Sequence, residues 1–213
     1  GEKRLPTTYF RSLNYLINEQ HDKALGVLIE ALEENEETIE IQLALGSLFR
    51  RRGEVERATQ VHQNLVARSG LEPRQRIHAL FELSQDYYKA GLLDRAENLL
   101  VEVSTSEEFA EPAYRLLVQI YEQEKEWDNA IDSAKRLSLA SGEDMNGLLA
   151  QYYCELAEER IAAGFYQECA GFINQALILE KDCTRAMMQS GRLRAIKNEQ
   201  QLAIREWSKI VNS

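Results

Sequence analysis

At 213 residues with 44% hydrophobic side chains, the chain has enough apolar mass for a folded core. It contains no run of 18 apolar residues, so no segment reads as a membrane span. Its net charge of −10 argues against non-specific nucleic-acid binding, which needs Lys and Arg to neutralise phosphates.

The predicted elements repeat one template. A small residue returns as Ala24, Ala58, Ala96, Ala130, Cys169 and Ala203, at intervals of 34, 38, 34, 39 and 34 residues. A recurring period of 34 is that of a helix–turn–helix repeat. Twelve residues before each anchor stand Ser12, Gly46, Ser84, Val118, Ala157 and Gly191, five of the six small. Small residues on facing helices let two backbones approach closely.

In chain order, the first repeat spans about 5–38 and places Asp22 at the start of its second helix. The second, 39–72, carries Leu45-Gly46, Phe49, Gly53, Glu56 and Ala58. A turn-like insertion, Ser69-Gly70-Leu71-Glu72-Pro73, leads to the third, 77–110, with Leu83-Ser84, Tyr87, Gly91, Asp94 and Ala96. The fourth, 111–144, carries Leu117-Val118, Tyr121, Asp128 and Ala130. A second insertion, Ser141-Gly142-Glu143-Asp144, precedes the fifth, 150–183, with Leu156-Ala157, Gly164 and Cys169. The sixth, 184–213, has Gly191, Asn198 and Ala203. Gly53, Gly91, Gly164 and Asn198 are expected to end the first helix of their repeats in the left-handed conformation. The acidic residue two before each anchor favours the positive end of the second helix. The Leu-Gly pair, the following Tyr, and Ala match the tetratricopeptide pattern, although its Trp and its closing Pro are missing. The fold expected is all-α, a single right-handed superhelical solenoid of about six tetratricopeptide repeats.

Nothing in the chain assembles a catalytic set. His21, His62 and His78 form no HxxxH or HExxH pair, and no GxSxG or GxxxxGK[ST] motif is present. Cys154, Cys169 and Cys183 make no CxxC pair, and an odd count in a chain of this size argues against a disulfide framework. A reduced, cytosolic setting fits that usage, and Cys169 reads as a small buried hydrophobe. The expectation is therefore a protein-binding, non-enzymatic array with no catalytic residue.

Two clusters could carry binding. Arg50-Arg51-Arg52 closes the first helix of repeat two, where cations complement the helix dipole and where a guanidinium fork could hold a partner carboxylate. The positions on first helices that packing does not use are Tyr9, Arg50, Phe81, Gln85, Tyr88, Arg115 and Gln119. Aromatic side chains beside arginines are a common composition of binding hot spots.

Two stretches are more specific than the generic repeat. One runs from Leu45 through Arg50-Arg51-Arg52-Gly53 to Ala58 and on to Val61-His62-Gln63. The other is Asp86-Tyr87-Tyr88-Lys89-Ala90-Gly91-Leu92-Leu93-Asp94-Arg95-Ala96-Glu97. With Tyr153-Cys154-Glu155-Leu156-Ala157, they resemble the lipopolysaccharide assembly protein B (LapB/YciM) family along nearly the whole chain. The resemblance implies an adaptor at the cytoplasmic face of the bacterial inner membrane. Such an adaptor helps the membrane protease FtsH degrade LpxC, the deacetylase that commits carbon to lipid A, alongside other lipopolysaccharide assembly proteins. It also implies an N-terminal membrane helix and a C-terminal rubredoxin-like metal domain with paired CxxC motifs, neither of which this chain contains. The chain is therefore expected to be a fragment that binds no zinc or iron, and whose uncapped sixth repeat favours a homodimer. The resembling motifs add Arg57, His62 and Asp94 to the candidate partner contacts, with Asp94 also readable as a helix N-cap.

Two other readings stay open at this stage. A co-chaperone or scaffold capturing a peptide carboxylate would need Lys, Arg and Asn clustered along neighbouring first helices, and those positions are mixed here. An enzyme would need its catalytic residues outside this chain.

Overall fold

The computed structural model describes residues 39–211, together with Lys23, Gly26 and Val27, and side chains as far as Gln201. The described residues form helices joined by turns and loops, with no strand among them. In chain order the helices are α1 (Ile39–Arg51), α2 (Val55–Val66), α3 (Pro73–Lys89), α4 (Leu93–Val103) and α5 (Glu107–Glu124), then α6 (Trp127–Ser141), α7 (Asn146–Ala163), α8 (Tyr166–Leu179) and α9 (Thr184–Val211). The chain divides into two compact units, 1–116 and 117–213, with the boundary inside α5.

The turns between paired helices are built alike. Gly53, Gly91 and Gly164 take φ of +81°, +75° and +81°, as expected of glycines that end a helix. Each turn is closed by two backbone hydrogen bonds. Glu54 N–H donates to Phe49 O at 2.9 Å, Leu92 N–H to Tyr87 O at 2.9 Å and Phe165 N–H to Arg160 O at 2.8 Å. The inner bonds run from Gly53 to Arg50, Gly91 to Tyr88 and Gly164 to Ile161. These bonds satisfy carbonyls that the end of a helix leaves without partners. In the fourth repeat Lys125 occupies that position, with φ +59° and the same bond pattern, Glu126 N–H to Tyr121 O at 2.9 Å.

The four anchors whose side chains are described pack as the spacing predicts; Ala24 and the side chain of Ala203 lie outside the described residues. Ala58, Ala96, Ala130 and Cys169 are fully enclosed, each on the second helix of its pair. Leu45, Leu83, Leu117 and Leu156 are buried on the first helices, and Glu56, Asp94, Asp128 and Glu168 fall in the first turn of α2, α4, α6 and α8. In the first unit α1 packs on α2 and on α3, and α3 packs on α4. Ile41, Leu45, Leu48, Phe49 and Ala58 form one core cluster there, and Leu43, Leu65 and Ala79 a second. In the second unit α7 packs on α8 and α9 around Ala150, Cys154, Ala157, Cys169, Ile173 and Cys183. Each fully buried Leu or Ile in these clusters contributes about 1.5–3 kcal/mol relative to exposure.

The helices place two expectations differently. The first helices of repeats three, four and five begin at Pro73, Glu107 and Asn146, ahead of residues 77, 111 and 150. Repeat four shows the same early start with no insertion ahead of it, so the inserted residues do not by themselves account for these starts. The sixth repeat has no turn at Asn198, because α9 runs unbroken from Thr184 to Val211. Asn tolerates the left-handed conformation but gains little from it, whereas Glu199-Gln200-Gln201-Leu202-Ala203 are good helix formers that carry the helix on.

Candidate functional site

Among the described residues of the first unit, a dense polar cluster lies where α1, α2 and α3 meet. Arg50, near the end of α1, reaches across to α3. Its Nη2 lies 2.6 Å from Glu82 Oε2, and its Nη1 lies 2.7 Å from Asp86 Oδ1 and 3.1 Å from the Glu82 carbonyl. Ser47, one turn earlier, donates its hydroxyl to Glu82 Oε2 at 2.6 Å. From α2, His62 Nδ1 meets the other Asp86 oxygen at 2.5 Å, and its Nε2 lies 3.3 Å from the Leu43 carbonyl. A ring carrying both protons would donate to both acceptors. His62 and Asp86 are both fully enclosed.

Local sequence sets this arrangement. Ser47 and Arg50, like Glu82 and Asp86, lie three and four residues apart on one face of their helices. Gly46 leaves the space that the His62 ring fills, since a Cβ there would overlap the imidazole. Burial pushes the Glu82 carboxyl upward, but the Arg50 guanidinium and the hydrogen bonds from Ser47 and Arg50 outweigh it and hold the group below the ordinary carboxylate range. Burial likewise disfavours the Arg50 charge, and Glu82 and Asp86 more than restore it. A buried ion pair of this kind is costly to break, because either partner left alone is an uncompensated charge.

The outer side of Arg50 opens onto a surface pocket of about 410 Å³. Its walls are Arg50 and Arg51 from α1, Gln85, Tyr88 and Lys89 from α3, and Leu116 from α5. Four residues expected from sequence to contact a partner, Arg50, Arg51, Gln85 and Tyr88, thus meet on one cavity.

The other expected contacts lie elsewhere. His62 is enclosed between helices, so its bonds are internal and a partner cannot reach it in this conformation. Phe81 is half-buried and tilted against Phe109, with ring centroids 5.4 Å apart. Arg57 is exposed, lies over the Phe49 ring at 4.0 Å and pairs with Glu54. Asp94 is exposed in the first turn of α4; the N-cap position belongs to Leu92 rather than to Asp94. Arg115 is exposed and paired with Glu111 at 2.9 Å, and Gln119 is exposed on α5 beyond the unit boundary. Tyr9 lies outside the described residues. Ser47, Glu82 and Asp86 were not foreseen as site residues.

Other chemistry has little to stand on. Among the described residues no three His, Cys, Asp or Glu side chains gather as a metal site. Cys154 and Cys183 lie with Sγ atoms 3.9 Å apart in the second-unit core. Burial and the neighbouring Cys183 push the Cys154 thiol up to about 12, which keeps it protonated and unreactive at neutral pH. No described helix is long and apolar enough to cross a membrane.

No protein-family profile matches the chain. Curated relatives do. The chain is 34% identical over 209 residues to lipopolysaccharide assembly protein B of Escherichia coli K12, covering 98% of this chain and 54% of that protein. It is 32% identical over 210 residues to the protein of the same name in Haemophilus influenzae, covering 95% and 53%. The chain therefore spans about half the length of the curated relatives it matches. Among solved structures, a tetratricopeptide protein of Thermus thermophilus superposes with a TM-score of 0.55 at 18% identity, covering 88% of this chain and 97% of that one. MamA of Desulfovibrio magneticus gives a TM-score of 0.56 at 17% identity, covering 83% and 94%. The structural likeness concerns the fold, tetratricopeptide repeats, and the sequence likeness the lineage: the chain is a homologue of lipopolysaccharide assembly protein B over about half of that protein's length.

Proposed function

We propose that the chain is the protein-binding part of a non-catalytic adaptor that regulates lipopolysaccharide biosynthesis. It would present the deacetylase LpxC to the membrane protease FtsH at the cytoplasmic face of the inner membrane. The observation that carries this reading is 34% identity to lipopolysaccharide assembly protein B along 98% of the chain. Three further features support it. Paired helices joined by tight turns display side chains along their surfaces. The pocket of the first unit is lined by cations, an amide, a phenol and a leucine, a recognition set without a nucleophile and its base. The buried Arg50–Glu82–Asp86–His62 cluster fixes the wall of that pocket and contributes rigidity rather than chemistry.

An adaptor of this kind works by raising the local concentration of substrate at the protease, so it needs surface complementarity and no reacting group. The test is a digestion of purified LpxC by detergent-solubilised FtsH with increasing amounts of this chain. A saturable, dose-dependent change in the LpxC half-life is expected. An LpxC half-life that stays constant at saturating chain contradicts the reading.

A further inference from the structure

Many basic residues of the described structure are held in ion pairs. Arg52 and Arg57 pair with Glu54, Arg74 with Glu108, Arg136 with Asp132, Arg185 with Glu155 and Arg192 with Glu158. Arg50 is held by Glu82 and Asp86. Arg51 and Lys89 have no ion-pair partner among the described residues, and both line the same pocket. Among the described residues no carboxylate lines it, in a chain whose net charge is −10. Both cations end a helix, α1 and α3, where they complement the dipole. The dipole explains their place along the helix. It does not explain why the half-buried Tyr88 and Leu116 stand beside them around an open cavity.

We propose that this pocket docks an acidic peptide segment of a protein partner. Arg51 and Lys89 hold its carboxylates, Gln85 offers an amide to its backbone, and Tyr88 with Leu116 receives an adjoining apolar side chain. Arg50 sets the floor: its charge is spent on Glu82 and Asp86, so it fixes shape while its two neighbours supply the attraction. The volume, about 410 Å³, lies in the range of ligand pockets. A guanidinium can bind a carboxylate through two parallel hydrogen bonds, which gives orientation as well as charge. The acidic surface elsewhere repels an acidic segment, which concentrates its binding on this patch. The proposal rests on the adaptor reading and specifies the chemistry of what the adaptor holds.

The test is fluorescence anisotropy of a labelled short peptide alternating Glu with Leu and Phe, compared with the same peptide carrying Lys for Glu. The chain is expected to bind the acidic peptide, more weakly as salt rises, and not the basic one. Arg51→Glu and Lys89→Glu should each weaken binding by about tenfold or more. Lys181→Glu makes the same charge change at an exposed site of the second unit and should stay within about twofold. Circular dichroism of each variant confirms that it is folded. Equal binding of both peptides, or equal effects of Arg51→Glu and Lys181→Glu, overturns the proposal. Titrating LpxC into the same variants separates the two readings. LpxC binding that is saturable and indifferent to Arg51→Glu removes the pocket proposal and leaves the adaptor reading. Peptide binding lost in Arg51→Glu, with LpxC not bound by the parent chain, keeps the pocket and removes LpxC as the partner.

Discussion

Gly46, His62 and Asp86 form one packing unit, and each constrains the others. A methyl group on Gly46 would overlap the His62 ring, so Gly46→Ala should lower stability by about 1–3 kcal/mol in urea denaturation. Unchanged stability would mean that the ring has room to retreat. Asp86→Ala strands Arg50 and His62 together without their shared carboxylate, and should cost about 3–5 kcal/mol in the same measurement. Glu82 gives the cluster an acid dependence. Its folded pKa is lowered from 4.5, so the stability it contributes is present above 4.5 and is lost as pH falls through the folded value. Acid unfolding of Glu82→Gln should therefore show a shallower loss of stability below 4.5 than the parent chain. The cluster leaves a mark in the sequence that short motifs do not capture. His62 stands four after its anchor, where the other repeats place the buried Leu100, Ala134 and Ile173. Asp86 stands ten before its anchor, where three others place Leu48, Ile120 and Leu193. Two polar residues at core positions of adjacent repeats point to a buried pair. Arg50, read as a groove residue, is legible as its third member only once α1 and α3 are known to pack.

At the scale of the element, the turns explain why the repeat was readable. Glycine at the end of a first helix carries its own physical signature, and Gly53, Gly91 and Gly164 each take the left-handed conformation. Lys125 takes it without that advantage, held there by the same two-bond closure. A side chain in this conformation costs about 1–2 kcal/mol, so Lys125→Gly should raise stability by about 1 kcal/mol, and a thermal melt with an unmoved or lower midpoint would contradict it. Gly91→Ala should act in the opposite direction for the same reason. Asn198 marks where the turn signal fails. Its residue type permits a turn, but the flanking residues favour helix and nothing forces a stop, so α9 continues through it. Helix starts were the least legible feature. Pro73 at the first position of α3, with Gln75 accepting the Glu72 N–H, sets a start that the period alone placed later.

For the whole molecule, the spacing of small residues identified the fold class, and sequence identity relates the chain to lipopolysaccharide assembly protein B over about half of that protein's length. Composition could not locate the binding surface. The exposed positions of the first helices follow from the repeat, yet only packing separates Phe81, turned against Phe109, from Tyr88, which faces the pocket. Adaptor action of this kind requires the chain to hold a protein partner by itself. Calorimetric titration of the folded chain with purified LpxC at two salt concentrations tests that most directly. Saturable binding that weakens as salt rises, and weakens further in Arg51→Glu, is the predicted result. The absence of binding heat at either salt, with circular dichroism showing an intact helical fold, would contradict it.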